Sequence, residues 1–214
     1  MRGGGAEGPS SSDVPERIQV PPLFHLCETE VIFNLVTGMM NRLIAHNDRI
    51  PLTSASITRF HSRAPPGIKL EDYLRRILKF AGLEPSVLLL LLVYIDRVCE
   101  VHRTFTISSL TVHRFVIAAV AVGSKATSDI YCTNTYYAKV GGISLQELNL
   151  MELEFCGLIG WRLSCSVDIL QRYYVNLIRT SQLYALGAEE VKPLSSDINA
   201  SEPKRQGSDP NTTD

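Results

Sequence analysis

The sequence has no long hydrophobic run and no excess of charge of either sign. The longest apolar stretch, Val87 to Ile95, has nine residues, whereas a membrane-spanning helix needs about 20. The formal net charge is −1, so the composition favours neither nucleic acid nor a membrane surface as a partner. We therefore expect no nucleic-acid partner and no membrane partner.

Cysteine is too scarce and too scattered for a disulfide framework. The chain has five cysteines, an odd number without a CxxC pair, which indicates free thiols in a reducing compartment. An intracellular protein, in the cytoplasm, the nucleus or both, is therefore expected. Because the sequence shows neither an HxxxH spacing nor a GxxxxGK[ST] loop, we expect no metal and no other cofactor.

Apolar periodicity is missing at both ends of the chain. Residues 1–22 contain mainly glycine, serine and proline around a few apolar side chains, and residues 188–214 are polar. Both compositions are typical of disordered tails. The remaining residues, 23–187, are predicted to form one domain, which is long enough to bury a hydrophobic core.

Within that domain the apolar residues follow the period of an α-helix. One amphipathic helix is predicted from the spacing of Leu70, Tyr73, Leu74, Ile77, Leu78 and Ala81. The segment Val87 to Cys99 is apolar all round at its centre and predicts a helix enclosed by others, with Pro85 in its first turn. No clear alternating strand pattern occurs, so the predicted fold class is all-α.

Capping residues predict where the later helices begin. Ser108 or Ser109 is predicted to cap a helix that contains small residues at 118–121. The segment Ser144 to Glu147 matches a capping box, in which the serine and the glutamate each satisfy a backbone N–H. That helix is expected to turn Leu148, Met151, Phe155 and Leu158 inward, and a last helix is expected from about Val167.

Six segments resemble, in the same order, motifs of the cyclin box of PHO-type (phosphate-regulating) cyclins, a group that includes plant P/U-type and protozoan relatives. These segments are Phe60-His61-Ser62-Arg63, Tyr73-Leu74-Arg75-Arg76-Ile77, Val93-Tyr94-Ile95-Asp96-Arg97, Thr111-Val112-His113-Arg114, Ser124-Lys125 and Tyr137-Ala138-Lys139-Val140-Gly141-Gly142. The resemblance covers residues 28–182. It implies a single cyclin box of five helices around a buried central helix, with additional helices at the N- and C-terminal ends.

The sequence departs from the plant members of this group after Lys125. Plant members show a bulky residue and two aspartates there, whereas this chain has Ala126-Thr127-Ser128-Asp129. The run Cys132-Thr133-Asn134 also differs from the plant motif. The broader PHO-type group is therefore favoured over a plant assignment.

The resemblance implies that the protein is a regulatory subunit, not an enzyme, and forms a heterodimer with a cyclin-dependent protein kinase. In cyclins a lysine and a glutamate hold the kinase, and these map to Lys125 and Glu152. Each would make a charge-assisted hydrogen bond to backbone groups of the kinase. Asp129 is a candidate for contact with arginines of the kinase activation loop, and Lys139 is a further candidate for kinase contact. The simpler interpretation is that Lys125 is favoured by the dipole near a helix C-terminus, that Glu152 is an exposed helix charge and that Lys139 is solvated.

Four further residues are expected to serve the structure. Asp96 and Arg97 follow the buried helix, and the resemblance implies an Arg–Asp pairing that ties helices together. Gly141 and Gly142 separate one helix from the start of the next.

The sequence leaves two other functions open. One is a cyclin-box adaptor of the kind found in transcription factors, which binds other proteins without activating a kinase. The other is an all-α enzyme whose site carries no recognisable motif. For the kinase-binding reading, the sequence does not separate control of cell-cycle entry (a G1-type role) from a nutrient or phosphate response.

Overall fold

The computed structural model of the chain describes residues 17–53 and 57–187. In these residues it has seven α-helices, one short 3-10 helix (Phe24–Leu26) and one two-stranded ribbon. The elements are β1 (Ile18–Val20), α1 (Thr29–Asn47), α2 (Leu70–Ala81), α3 (Pro85–Val101), α4 (Val112–Thr127), α5 (Asn134–Gly141), α6 (Leu145–Leu158), α7 (Val167–Thr180) and β2 (Tyr184–Leu186). The predicted all-α fold class is confirmed, with the ribbon as a small addition.

Helices α2 to α6 form the five-helix box, and α4 is its centre. α4 packs against α2, α3, α5 and α6, and its residues from Phe115 to Ser124 are all buried. The small side chains of Ala118 to Ala121 let these neighbours approach closely. The helix that sequence periodicity predicts to be enclosed is α3, which is buried along Val87 to Ile95 because α1 and α7 cover the side that does not face α4.

The predicted helices α2, α3 and α7 are confirmed. In the apolar stripe of α2, Leu70, Tyr73, Leu74 and Ile77 are buried, and Leu78 and Ala81 are partly buried. The helix is capped by Gly82, whose φ of 62° lies in the left-handed region. Pro85 occupies the first turn of α3 as expected. In α7 the four residues predicted to face inward, Leu170, Tyr174, Leu177 and Ile178, are all buried.

Both capping predictions need correction. α4 begins at Val112, and neither Ser108 nor Ser109 caps it; instead the Thr111 hydroxyl accepts a hydrogen bond from the Ser108 N–H at 2.8 Å. Ser144 does accept from the Glu147 N–H at 3.1 Å. The other half of the capping box is absent, because the Glu147 carboxylate pairs with Arg114 of α4, a charged partner that local sequence spacing does not reveal.

The predicted N-terminal tail extends too far along the chain. β1 pairs in parallel with β2, with Ile18 opposite Tyr184, and Val20 is buried. Tyr174 of α7 also donates its hydroxyl to the Pro21 carbonyl at 2.6 Å. The sequence did not predict this ribbon, because the two strands are short and far apart in the chain. The rest of the predicted tails, residues 1–16 and 188–214, lies outside the described residues.

The diglycine at the end of α5 is required by two different constraints. Gly142 has a φ of 71° and ends α5 in the left-handed conformation. Gly141 lies against α4, where an added Cβ would come within 2.6 Å of Ile117 Cγ1. In addition, the Gly141 carbonyl accepts the Tyr73 hydroxyl at 3.2 Å. The pair therefore sets how closely α5 approaches the central helix.

Replacing Gly141 by alanine is expected to lower the free energy of unfolding by about 1–3 kcal/mol, because the new methyl group overpacks the contact with Ile117. Gly157→Ala in α6 is the matched control, since nothing lies within 4 Å of the Cβ it would add. That control should be neutral or stabilising, because alanine favours the helix. Urea unfolding of both variants measures the difference, and equal stabilities would contradict the packing argument.

Candidate functional site

Lys125 and Glu152, the two residues that the resemblance singles out, lie face to face. Lys125 is in the last turn of α4, where a positive charge is favoured by the helix dipole. Glu152 projects from the middle of α6. The distance from Lys125 Nζ to Glu152 Oε1 is 2.5 Å, and the side chains are 28% and 24% exposed. The site is therefore a partly buried ion pair that a partner can reach.

Two asparagines complete the polar site, and sequence reasoning did not assign a role to either. The Asn134 side-chain nitrogen donates to Glu152 Oε2 at 2.6 Å and to Asn149 Oδ1 at 2.8 Å. Both oxygens of Glu152 are thus engaged, one by a cation and one by a neutral amide. Asn149 and Glu152 are three residues apart on α6 and share a helix face, whereas nothing in the sequence pointed to Asn134.

Aromatic packing explains why Glu152 meets Lys125. Phe155, one turn after Glu152, is fully buried between Phe115 of α4, at 5.3 Å between ring centroids, and Tyr94 of α3, at 5.2 Å. Phe60, from the segment before α2, contacts the same ring at 6.3 Å. Because these contacts fix both the rotation and the height of α6 on α4, Glu152 comes to the end of α4 where Lys125 lies.

The structure does not bring Asp129 and Lys139 into this polar network. Asp129 lies in the exposed segment between α4 and α5, and Lys139 is exposed on α5. Neither takes part in an ion pair with another described residue. Their carboxylate and ammonium groups face solvent.

Apolar side chains are exposed close to the ion pair along the chain. Ile130 is 91% exposed and Tyr131 is 56% exposed, in the segment that follows Lys125. Tyr136 in the first turn of α5 and Leu153, next to Glu152, are also exposed. Exposed apolar residues beside a partly buried charge pair are typical of a protein-binding surface.

Cys156 lies one turn beyond Glu152 and is a free, buried thiol. Burial, reinforced by the negative charge of Glu152, raises the pKa of this thiol above its ordinary value, although Lys125 acts in the opposite direction. It therefore stays protonated and unreactive near neutral pH.

Asp96 and Arg97 hold α3 to the segments around α7, but not through an Arg–Asp pair. The Tyr173 hydroxyl of α7 donates to Asp96 Oδ2. The Arg97 guanidinium donates to the carbonyls of Arg162 and Ser164 in the segment before α7, the latter at 3.1 Å. The ion pairs among the described residues do not join Asp96 to an arginine. The expected pairing is thus replaced by bonds to a tyrosine and to backbone carbonyls.

Tyr94 strengthens this connection from the buried side of α3. Its hydroxyl donates to the Leu163 carbonyl at 2.5 Å. Burial raises the pKa of the Tyr94 hydroxyl far above its usual value, so the group remains a donor at any physiological pH. Tyr94 and Arg97 together bind three consecutive carbonyls, those of residues 162–164.

Neither a metal centre nor a membrane span is found in residues 17–53 and 57–187. No group of three or more histidine, cysteine or acidic side chains there could hold a metal ion. None of the helices in the same residues combines the length and apolarity needed to cross a bilayer.

Comparison with known proteins defines the class. A family model described as "Cyclin" matches residues 30–163, which include the five box helices and all but the first residue of α1. The chain therefore belongs to the cyclin family.

The relatives place it, within that family, among the PHO-type cyclins. It is 40% identical to the "Nuc-1 negative regulatory protein preg" of Neurospora crassa over 194 residues, which are 87% of this chain and 40% of that protein. It is 34% identical to the "PHO85 cyclin PHO80" of Saccharomyces cerevisiae over 171 residues, 74% of this chain and 58% of that protein. Identity to "Cyclin-U2-1" of Arabidopsis thaliana is 34% over 152 residues, 70% of this chain and 68% of that protein. The chain thus spans less than two thirds of the first two of these relatives.

Arg97→Lys is expected to lower the free energy of unfolding by about 1 kcal/mol, because a single ammonium cannot replace the two bonds of the guanidinium to Arg162 and Ser164. The control is Arg172→Lys, an exposed arginine of α7, which should change stability little. Thermal unfolding of the two variants measures how much stability each substitution costs. A destabilisation of the same size in both would show that the fork geometry of Arg97 is unimportant.

Proposed function

We propose that this chain is the regulatory subunit of a cyclin-dependent protein kinase and has no catalytic activity of its own. The observation that carries the proposal is the accessible Lys125–Glu152 pair, placed at one end of α4, with exposed apolar side chains in the neighbouring segments of the chain. A lysine ammonium and a carboxylate side by side offer one donor and one acceptor. A peptide backbone, which presents carbonyl and N–H groups, can engage both.

The site would act by selecting one conformation of the kinase. Kinase activity requires that the αC helix bring its glutamate to the conserved lysine and that the Mg²⁺ site be complete. Lys125 and Glu152 would bind the backbone of the kinase segment that precedes αC. A subunit that binds the active position of that helix more tightly shifts the kinase toward it.

The internal ion pair does not block this exchange. A surface salt bridge contributes only about 0–1 kcal/mol, and the Lys125–Glu152 pair is partly solvated. Charge-assisted hydrogen bonds to the kinase backbone contribute about 1.5–3 kcal/mol each. The pair therefore holds both side chains in place in the free subunit and still yields to a partner.

Most of the affinity must come from apolar contact. Specific interfaces bury on the order of 1,600 Å² in total, which is far more than two charged side chains can supply. Exposed apolar area of this kind is offered by Ile130, Tyr131, Tyr136 and Leu153, which lie close to the charged pair along the chain. Aromatic residues of this kind often dominate the binding energy of an interface.

The relatives favour a phosphate or other nutrient response over control of cell-cycle entry. The yeast relatives are named as cyclins of PHO85, and the Neurospora relative as a negative regulator of Nuc-1. By analogy, the partner of this chain would be a kinase of the PHO85 kind. The five cysteines are all free thiols, which supports residence in the cytoplasm or the nucleus. The alternative is a cyclin-box adaptor that binds proteins without activating a kinase.

Lys125→Ala and Glu152→Ala are each expected to weaken kinase binding and activation at least tenfold, because the partner's backbone loses a charge-assisted bond. Far-UV circular dichroism should show an unchanged helical content. The matched control is Glu154→Ala. Glu154 lies on the same helix, its side chain is 29% exposed, and it forms a comparable ion pair with Arg59 at 2.9 Å.

The measurement is recovery of kinase from lysate of the source cells on tagged protein, with identification of the kinase and an assay of its activity. Retention by the wild type and by Glu154→Ala, with loss in the two site variants, supports the proposal. A kinase that is retained but not activated would favour the adaptor. If no kinase is retained where other cyclins recover theirs, the proposal is wrong. Unfolding of both site variants would make these residues structural.

Asp129→Ala is expected to reduce kinase activation more than kinase binding. The exposed Asp129 carboxylate would meet arginines of the activation loop, where it partly replaces a phosphate group. Asp129→Glu keeps the charge and should retain most of the activation. Phosphorylation rates with the reconstituted kinase test this, and unchanged binding and activation in Asp129→Ala would rule out the contact.

A further inference from the structure

The Asn134 side chain points into the polar site, although its position at the start of α5 does not require this. It is the first residue of α5, and the capping of that helix is provided by its neighbour Thr133, whose side chain accepts from the Tyr136 N–H. The Asn134 side chain instead turns toward α6 and binds Glu152 and Asn149. Its amide therefore serves the polar site and not its own helix.

The orientation of that amide is determined by its partners. The two atoms within hydrogen-bonding distance, Glu152 Oε2 and Asn149 Oδ1, are acceptors and cannot bond to an amide oxygen, so the nitrogen must face them. The Asn134 Oδ1 atom is then buried without a hydrogen-bond partner. A buried acceptor that makes no bond is costly, and this cost is tolerated where the opposite end of the amide holds Glu152.

We infer that Asn134 is a positioning residue of the partner-binding site, which fixes Glu152 through Oε2 so that Oε1 and the Lys125 ammonium are presented to the kinase. This inference rests on the proposed function. A glutamate held only by Lys125 would be free to turn once the partner engages that lysine. With Asn134 in place, Glu152 Oε2 stays hydrogen-bonded to the Asn134 amide. Glu152 Oε1 can then release Lys125 and bind the kinase.

The neutrality of Asn134 is part of the arrangement. An amide nitrogen donates to Glu152 without adding a charge, so the carboxylate keeps its charge for the partner. An aspartate at the same position would place a second carboxylate against Glu152 Oε2. It would not weaken α5 itself, because a negative charge in the first turn of a helix is favoured by the dipole.

Two variants in neighbouring positions separate the site from the helix. Asn134→Asp is expected to weaken kinase binding more than tenfold, since repulsion displaces Glu152 from Lys125. Thr135→Asp places the same charge in the same helical turn, but Thr135 is exposed. It should bind within about twofold of the wild type. Equal weakening by both variants would show a general charge effect and overturn the inference.

A double-mutant cycle shows whether Asn134 acts through Glu152. Asn134→Ala alone is expected to weaken kinase binding about three- to tenfold. In the background of Glu152→Ala it should have almost no further effect, because the residue it positions is gone. Losses that multiply independently would mean that Asn134 supports the fold or contacts the kinase directly, and the inference would be wrong.

Thermal unfolding of every variant verifies that binding is compared between folded proteins. The failure of this inference and the failure of the proposed function look different in the same experiment. If the wild type retains kinase and Asn134→Asp retains it equally, only the role of Asn134 is lost. If the wild type retains none, both proposals are wrong.

Discussion

The packing of Phe155 is the constraint on which the site depends. Its ring is enclosed by Phe60, Phe115 and Tyr94, which come from three different parts of the chain. A helix held by a large buried ring cannot slide or rotate without opening a cavity, and such a cavity costs several kcal/mol. The carboxylate of Glu152 is thus positioned by apolar contacts that it does not make itself. The ion pair with Lys125 is a result of this packing and contributes little to holding the helices together.

The helices were predictable because each buries a continuous apolar face. The spacing of leucine, tyrosine and isoleucine in α2 and the apolar run of α3 carry this information locally. Interactions between distant segments were not predictable in the same way. The Glu147 carboxylate forms an ion pair with Arg114 and does not complete the predicted capping box. Asp96 accepts a hydrogen bond from the Tyr173 hydroxyl and does not pair with an arginine. In both cases the partner lies on another helix, so the sequence near the residue does not predict the interaction.

The site residues also differ in whether they could be predicted from the sequence. Lys125 and Glu152 came from a resemblance between motifs, and the structure places them 2.5 Å apart. Asn134 could not be found from sequence, because an asparagine at the start of a helix is ordinarily read as part of its cap or first turn. Its role in holding Glu152 depends on how α5 lies against α6. That arrangement depends in turn on Gly141, which has no side chain to separate α5 from Ile117.

The ribbon of β1 and β2 has a consequence for how the domain is attached to other polypeptide. Because the two strands are parallel, with Ile18 opposite Tyr184 and Val20 opposite Leu186, the chain enters the described domain at one end of the ribbon and leaves it at the other end. The entry and the exit are therefore separated by the length of the three-residue ribbon, about 10 Å. A force that pulls on both ends of the described domain would act on the two strands in opposite directions and would load their backbone hydrogen bonds in shear.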